Sequence, residues 1–243
     1  MLGVTSFSSS GYRLYGKSCL ESLKHWPCKF VVFYEEKPDY EHLRIEYRDL
    51  FGIPGINDFL DRIDGTDASG KINDKYDYRF DAFKFSRKVF CMEAVFDEDP
   101  EVFWLDADTL TKKDIPIDFL RGLVKDYPFC YIGRDRFRTE TGFLGFNTSH
   151  KDFPLFRGRY LSTYTSGKFF DLQAWEDTAV FDYARGRIGG NNLNKTALQG
   201  IDHPFPHTIL GEYIEHYKGG RKFVLGDGQR QHNPERPRVG GSV

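Results

Sequence analysis

Asp106 and Asp108 stand one residue apart, directly after the apolar run Phe103-Trp104-Leu105. Such a run reads as a buried strand, and ligands in open α/β sheets bind beyond the carboxyl ends of strands. Two carboxylates placed together there repel each other, and a cation relieves that cost. Oxygen ligands suit Mg²⁺ or Mn²⁺, ions that commonly bridge protein carboxylates to substrate phosphates. A strand followed by an ordinary acidic turn has the same letters; the long apolar run leading straight into the pair argues for function.

Other residue types fit the same chemistry. Arg79 and Lys84 fall at the start of a helix-like stretch, and a helix N-terminus with a cation beside it holds a diphosphate well. The competing reading is a solvated cationic face, because Lys84 and Lys88 are one turn apart. Gly142 would let a substrate approach the backbone closely. Tyr12 would stack on a base. The imidazole of His216 suits Mn²⁺, and Lys218 offers a point charge to a phosphate. Glu176 and Asp177 form an acidic pair near a helix start, where the helix dipole alone favours them.

The elements that must position these groups alternate between short β-like runs and helical stretches, which reads as α/β with a largely parallel sheet. Leu2–Phe7 is the first strand, followed by a small polar turn over residues 8–11. Residues 12–25 read as a helix marked by Leu14, Leu20 and Leu23 and closed by Pro27. Residues 30–34 form a second strand. Residues 52–75, rich in Gly, Asp and Asn, read as a long loop with short helical pieces. The spacing of Phe80, Phe83, Phe90 and Ala94 predicts a helix over 79–97, ended by Asp99-Pro100. Strands follow at 102–105, 129–132 and 143–146. A further helix over 171–187 carries Leu172, Trp175, Ala179 and Tyr183 on one face. Residues 226–243 have almost nothing to bury and read as a loosely attached tail. One domain over residues 1–225 is the expectation.

Composition removes several functions. With 34 Lys and Arg against 36 Asp and Glu the net charge is −2, so no strong positive field attracts nucleic acid. Phosphate binding must come from a few placed cations. No apolar run approaches the ~18 residues that span a bilayer. The first residues lack the charged and apolar regions of a signal peptide. The four cysteines, Cys19, Cys28, Cys91 and Cys130, lie far apart without a C-x-x-C pair, so free thiols in a reducing compartment are expected. A cytoplasmic protein follows. The 23 Phe, 14 Tyr and 3 Trp are assigned mostly to core packing, since rings that stack on sugars or bases are a minority use of such residues.

The apolar strand running into Asp106-Ala107-Asp108 resembles the D-x-D motif of metal-dependent nucleotide-sugar glycosyltransferases of the GT-A fold. The segment Tyr78-Arg79-Phe80-Asp81-Ala82-Phe83-Lys84 is similar to the helix that precedes D-x-D in many of these enzymes. Thr139-Glu140-Thr141-Gly142-Phe143 is similar to the strand beneath the donor sugar, with Glu-Thr where many relatives have Asn-Ala; Glu140 would bind a sugar hydroxyl or lie in a surface turn. Trp175-Glu176-Asp177 is similar to the x-E-D segment of inverting members, and Glu215-His216-Tyr217-Lys218-Gly219 to the C-terminal H-x-x-G element. The resemblance spans roughly residues 2–224. It implies a single Rossmann-like GT-A domain: a mostly parallel twisted sheet with helices on both faces. Asp106, Asp108 and His216 would hold Mn²⁺ or Mg²⁺. Thr5, Ser6, Phe7, Tyr12, Arg79, Lys84, Asp106, Ala107, Gly142, Lys218 and Gly219 would meet the nucleoside-diphosphate sugar, a UDP- or GDP-sugar. Asp177, or else Glu176, would activate the acceptor hydroxyl, which leans the stereochemistry to inversion. A carbohydrate acceptor in glycan biosynthesis is the implied partner.

Three other readings compete. Haloacid-dehalogenase-type phosphatases also carry D-x-D after a strand, but usually with Thr or Val where this chain has Leu110, and near the N-terminus. Sugar-phosphate nucleotidylyltransferases usually carry a Gly-rich basic loop, of which residues 8–13 are a poor version. A non-catalytic nucleotide- or sugar-binding module would hold the acidic pair structurally.

Overall fold

Apolar side chains alternate between two faces along the central strands, and both faces are covered. The structure is a computed structural model describing residues 1–134, 137–194 and 203–217. Its main sheet has seven strands: β1 (Leu2–Phe7), β2 (Lys29–Tyr34), β3 (Ile45–Asp49), β6 (Glu101–Leu105), β8 (Phe129–Arg134), β9 (Phe137–Asn147) and β10 (Asn191–Asn192). The spatial order is β10-β8-β9-β6-β1-β2-β3. β9 runs antiparallel to β6 and β8; the other neighbours are parallel. Two small antiparallel pairs lie outside this sheet. One is the hairpin β4 (Ser69–Ile72) with β5 (Lys75–Asp81). The other joins β7 (Thr109–Thr111) to β11 (Ile214–His216).

The period of two sorts the core into two layers. Val4, Val31, Phe33, Val102, Trp104, Leu144 and Phe146 face one side. There they meet α3 (Ile56–Ile63), α4 (Ala82–Glu93), α6 (Phe153–Thr165) and α7 (Asp177–Arg185). Phe30, Val32, Phe103, Leu105, Cys130, Ile132 and Phe143 face the other. Their cover is α2 (Lys17–Ser22), α5 (Ile117–Val124) and the 3₁₀ turns around residues 205–212. This is an α/β fold with helices on both faces, as expected. A strand covered twice can be apolar throughout, which is why β1, β2 and β6 were readable. The four cysteines are free and buried. Among the described residues, no helix is long and apolar enough to cross a membrane.

Several expectations need correction. The polar turn at 8–11 already begins a helix, α1 (Ser9–Gly11), with the Ser8 hydroxyl accepting from the Gly11 amide at 3.1 Å. A π-helical stretch, Tyr12–Gly16, then leads into α2. The long loop at 52–75 contains α3, whose Ile56, Phe59, Leu60 and Ile63 are all buried, and β4, the first strand of the β4–β5 hairpin. The helix expected over 79–97 starts at Ala82, because residues 79–81 still belong to β5. The helix expected over 171–187 starts at Asp177. Its buried residues include Val180, Phe181 and Ala184, whereas Tyr183 is exposed. β3, α5 and α6 were not anticipated. The tail at 226–243 lies outside the described residues.

The sheet reverses its order of growth at β1: β2 and β3 extend on one side and β6 lies on the other. That switch opens a crevice at the carboxyl ends of β1 and β6, where residues 5–7 and 106–108 emerge. Beneath it the sheet rests on an aromatic cluster. Phe146 has Phe96, Phe156 and Phe153 at ring-centroid distances of 5.2, 5.5 and 6.2 Å. Phe146→Ala is expected to lower the free energy of unfolding in urea by about 3–5 kcal/mol. A loss under about 1 kcal/mol would mean that this cluster does not support the sheet.

Candidate functional site

The acidic pair hangs between two sheets. Asp106 follows β6, and its amide donates to the Gly142 carbonyl of β9 at 2.9 Å. Asp108 precedes β7, which leaves the main sheet and pairs with β11. In that register His216 lies opposite Thr109, and the Tyr217 amide donates to the Asp108 carbonyl at 2.8 Å. The strand pairing therefore carries His216 to the acidic pair. His216 Nε2 lies 3.1 Å from Asp108 Oδ1. Asp106, Asp108 and His216 each offer a ligand atom within 4.8 Å of the others. Asp108 and His216 are buried, while Asp106 keeps a partly open side. Two carboxylates and an imidazole converging at this spacing fit a divalent cation.

Asp106 is fixed from behind. The Trp104 indole donates to its Oδ1 at 2.6 Å. Lys88, only 9% exposed on α4, places its ammonium 2.9 Å from the same oxygen. That ammonium also lies 2.6 Å from Asp177 Oδ2 and donates to the Thr141 carbonyl at 3.0 Å. The Thr141 hydroxyl donates to Asp177 Oδ2 at 2.7 Å. Burial pulls the Lys88 ammonium toward neutrality, but Asp106 and Asp177 outweigh it and hold the group above the usual lysine range. The solvated-face reading of Lys88 is thus corrected. It sits three residues after Phe85 and four before Met92 on one helical row, a signal present in the sequence.

Glu176 stands just before α7 and Asp177 is its first residue, at 7% and 3% exposure. Glu176 Oε1 accepts from Arg138 at 2.9 Å and from the Thr178 hydroxyl at 2.8 Å. Burial pushes the Glu176 carboxyl above its ordinary value; the Thr178 bond and Arg138 oppose the shift and the Asp177 charge adds to it. Glu140 is buried rather than in a surface turn, with Oε1 3.6 Å from His216 Nδ1. Gly142 does provide close approach, but to His216: a β-carbon there would lie 2.6 Å from the ring Cε1.

The remaining expected residues divide. Thr5 and Phe7 are buried in the sheet and Ala107 in the core, so their side chains face protein. Ser6 is half-buried. Tyr12 lies against Phe7 with ring centroids 5.2 Å apart and donates its hydroxyl to Asp39. Burial, with Asp39, pushes that phenol up to about 12. Arg79 and Lys84 do not form the expected helix-start anion site. Arg79 lies in β5, ion-paired to Asp77 at 2.5 Å. Lys84 is exposed over the Phe85 ring. The start of α4 is capped by a carboxylate, Asp81, which accepts from the Lys84 amide at 2.9 Å. Lys218 and Gly219 lie outside the described residues. Sequence reading passed over Trp104, Thr141, Arg138 and His203, none of which carries a spacing signal of its own.

No family model and no curated protein matches the chain. Solved structures do. The glycosyltransferase GlyE of Streptococcus pneumoniae TIGR4 superposes with a TM-score of 0.51 at 13% identity, covering 90% of this chain and 54% of GlyE. The galactosyltransferase LgtC, in complex with donor and acceptor sugar analogs, gives 0.50 at 14% identity, covering 90% of this chain and 88% of LgtC. An active-site mutant of LgtC gives 0.52 at 13% identity with the same coverages. This chain spans about half the length of GlyE and most of LgtC. At such identities the likeness concerns architecture: the chain has the GT-A fold of these glycosyltransferases.

Proposed function

We propose that this protein is a metal-dependent glycosyltransferase. It would move a sugar from a nucleoside-diphosphate sugar, a UDP- or GDP-sugar, to a hydroxyl of a carbohydrate acceptor in glycan biosynthesis. The observation that carries the reading is the convergence of Asp106, Asp108 and His216 at the strand-end crevice of a GT-A fold. The donor and acceptor sugar analogs bound to LgtC support the substrate classes. The four buried free cysteines fit a reducing compartment, and we place the protein in the cytoplasm. We take residues 1–225 as the catalytic domain.

Asp106, Asp108 and His216 would hold Mn²⁺ or Mg²⁺. A divalent ion there supplies positive charge to the departing diphosphate. Trp104 and Lys88 fix the Asp106 carboxylate, so that it need not reorganise when the donor arrives. Lys218 and Gly219, next after Tyr217, are proposed to meet the diphosphate. Ser6 and Tyr12, at the other side of the crevice, are proposed to meet the nucleoside.

The sequence leans to inversion, with Asp177 or Glu176 as acceptor base. In the folded chain Lys88 faces Asp177 and Arg138 faces Glu176, and both carboxylates are more than nine-tenths buried. That arrangement favours positioning roles over proton abstraction from an incoming hydroxyl. Asp177 would hold Lys88, and Glu176 would support the donor sugar from beneath. A base is what inversion requires, so we propose that the anomeric configuration is retained.

Three outcomes are expected. In thermal unfolding, a nucleotide at ~100 times its dissociation constant adds about 2.7 kcal/mol to stability. The shift should require both Mn²⁺ and either UDP or GDP, and should vanish in Asp108→Asn; no shift with any combination sinks the donor reading. Lys88→Met leaves Asp106 and Asp177 uncompensated, so urea unfolding should show a loss of about 3–5 kcal/mol. Adding Asp177→Asn should restore part of that loss, since the two side chains are in contact; a purely additive double variant would refute the coupling. Proton NMR of the first product formed should show the donor's anomeric configuration, and the opposite anomer would return Asp177 or Glu176 to the role of base.

A further inference from the structure

Behind the Asp106–Asp108 pair lies a second donor set. Glu140, His203 and His216 each offer a ligand atom, and the three atoms lie within 4.8 Å of one another. The residues come from three places: Glu140 from β9, His216 from β11, and His203 from the segment before the 3₁₀ turn Phe205–His207. The setting is built. The His203 and His216 rings stand 5.2 Å apart at 69°, and the Phe205 ring packs 5.3 Å from His216. Glu140 and His216 are 4% and 2% exposed.

His203 is oriented by its Nε2–H, which donates to the His216 carbonyl oxygen at 3.1 Å. His216 lies between two carboxylates, with Asp108 Oδ1 3.1 Å from Nε2 and Glu140 Oε1 3.6 Å from Nδ1. One ring thus joins two groups of oxygen donors, one on each nitrogen.

We propose that Glu140, His203 and His216 form a second cation site, suited to a nitrogen-preferring ion such as Zn²⁺, that shares His216 with the Asp106–Asp108 site and excludes its ion. Two imidazoles and one carboxylate match Zn²⁺ preferences, whereas two carboxylates and one imidazole suit Mn²⁺ or Mg²⁺ better. Exclusion follows from the shared ring: His216 belongs to both donor sets, and two divalent charges held on opposite nitrogens of one imidazole repel each other. Zn²⁺ at the inner site thus weakens the outer ion. The exclusion rests on the proposed outer ion site; the Zn²⁺ site does not.

The test uses the full chain at pH 7.5 without nucleotide, titrating Zn²⁺ against a chromogenic chelator. One equivalent should bind. His203→Gln and Glu140→Gln should each weaken binding at least about tenfold, with circular dichroism unchanged, while Asp106→Asn stays within about twofold. The proposal is overturned if wild-type protein binds no Zn²⁺, if His203→Gln leaves the affinity intact, or if Asp106→Asn abolishes it. Mn²⁺ binding followed by electron paramagnetic resonance tests the exclusion: one equivalent of Zn²⁺ should weaken Mn²⁺ binding at least about tenfold, and unchanged Mn²⁺ affinity refutes it. If Mn²⁺ does not bind while Zn²⁺ binds through His203, the outer ion reading fails and the inner site stands.

Discussion

Lys88 places one positive charge between two carboxylates inside the protein, at 2.9 Å from Asp106 and 2.6 Å from Asp177. Burying an ammonium costs several kcal/mol unless partners surround it. Here the partners include both carboxylates and the Thr141 carbonyl. The same contacts tie three elements together: α4 supplies the lysine, the turn after β6 supplies Asp106, and α7 supplies Asp177. Without the ammonium, the negative charge of Asp106, Asp108, Glu140, Glu176 and Asp177 would be harder to hold at one end of the sheet. Lys88 thus makes the acidic crevice compatible with a stable fold, and it fixes where the first carboxylate of the pair must stand.

The crevice is also shaped by small residues and by register. Gly142 lies where any β-carbon would strike the His216 ring. The pairing of β7 with β11 then aligns His216 with Thr109, beside Asp108. Backbone choices, more than flexible side chains, bring the imidazole and the carboxylates together. Such preorganisation leaves less ordering to be done when a ligand binds.

What was readable from the sequence follows how each element is buried. β1 and β6 are covered on both faces, so their apolar runs and the carboxylates after β6 stood out. β3 is an edge strand of mixed residues, Ile45-Glu46-Tyr47-Arg48-Asp49, and gave no run to detect. α6 interleaves Phe153, Phe156 and Tyr160 with Arg157, Arg159 and Ser162, so its apolar stripe is weak by eye. α3 was hidden by the Gly- and Asp-rich residues around it. The pairing of Asp106, Asp108 and His216 was anticipated by resemblance, and the fold brings them together. The sequence leaves Lys88 between a solvated face and a functional helix because its charge suggests solvent, although its helical row points inward. His203 had no local signal, because its place beside Glu140 depends on contacts between distant segments.

The β7–β11 pairing has a consequence for how the molecule comes into being. Between those strands lie α5, β8, β9, α6, α7 and β10, so His216 meets Asp108 across more than a hundred residues of chain. Contacts between such distant segments carry a large closure entropy and form slowly. A chain part-way through synthesis already holds Lys88 and the acidic pair but lacks His216. The early sheet therefore assembles on its apolar faces, and the convergence of Asp106, Asp108 and His216 belongs to the end of assembly.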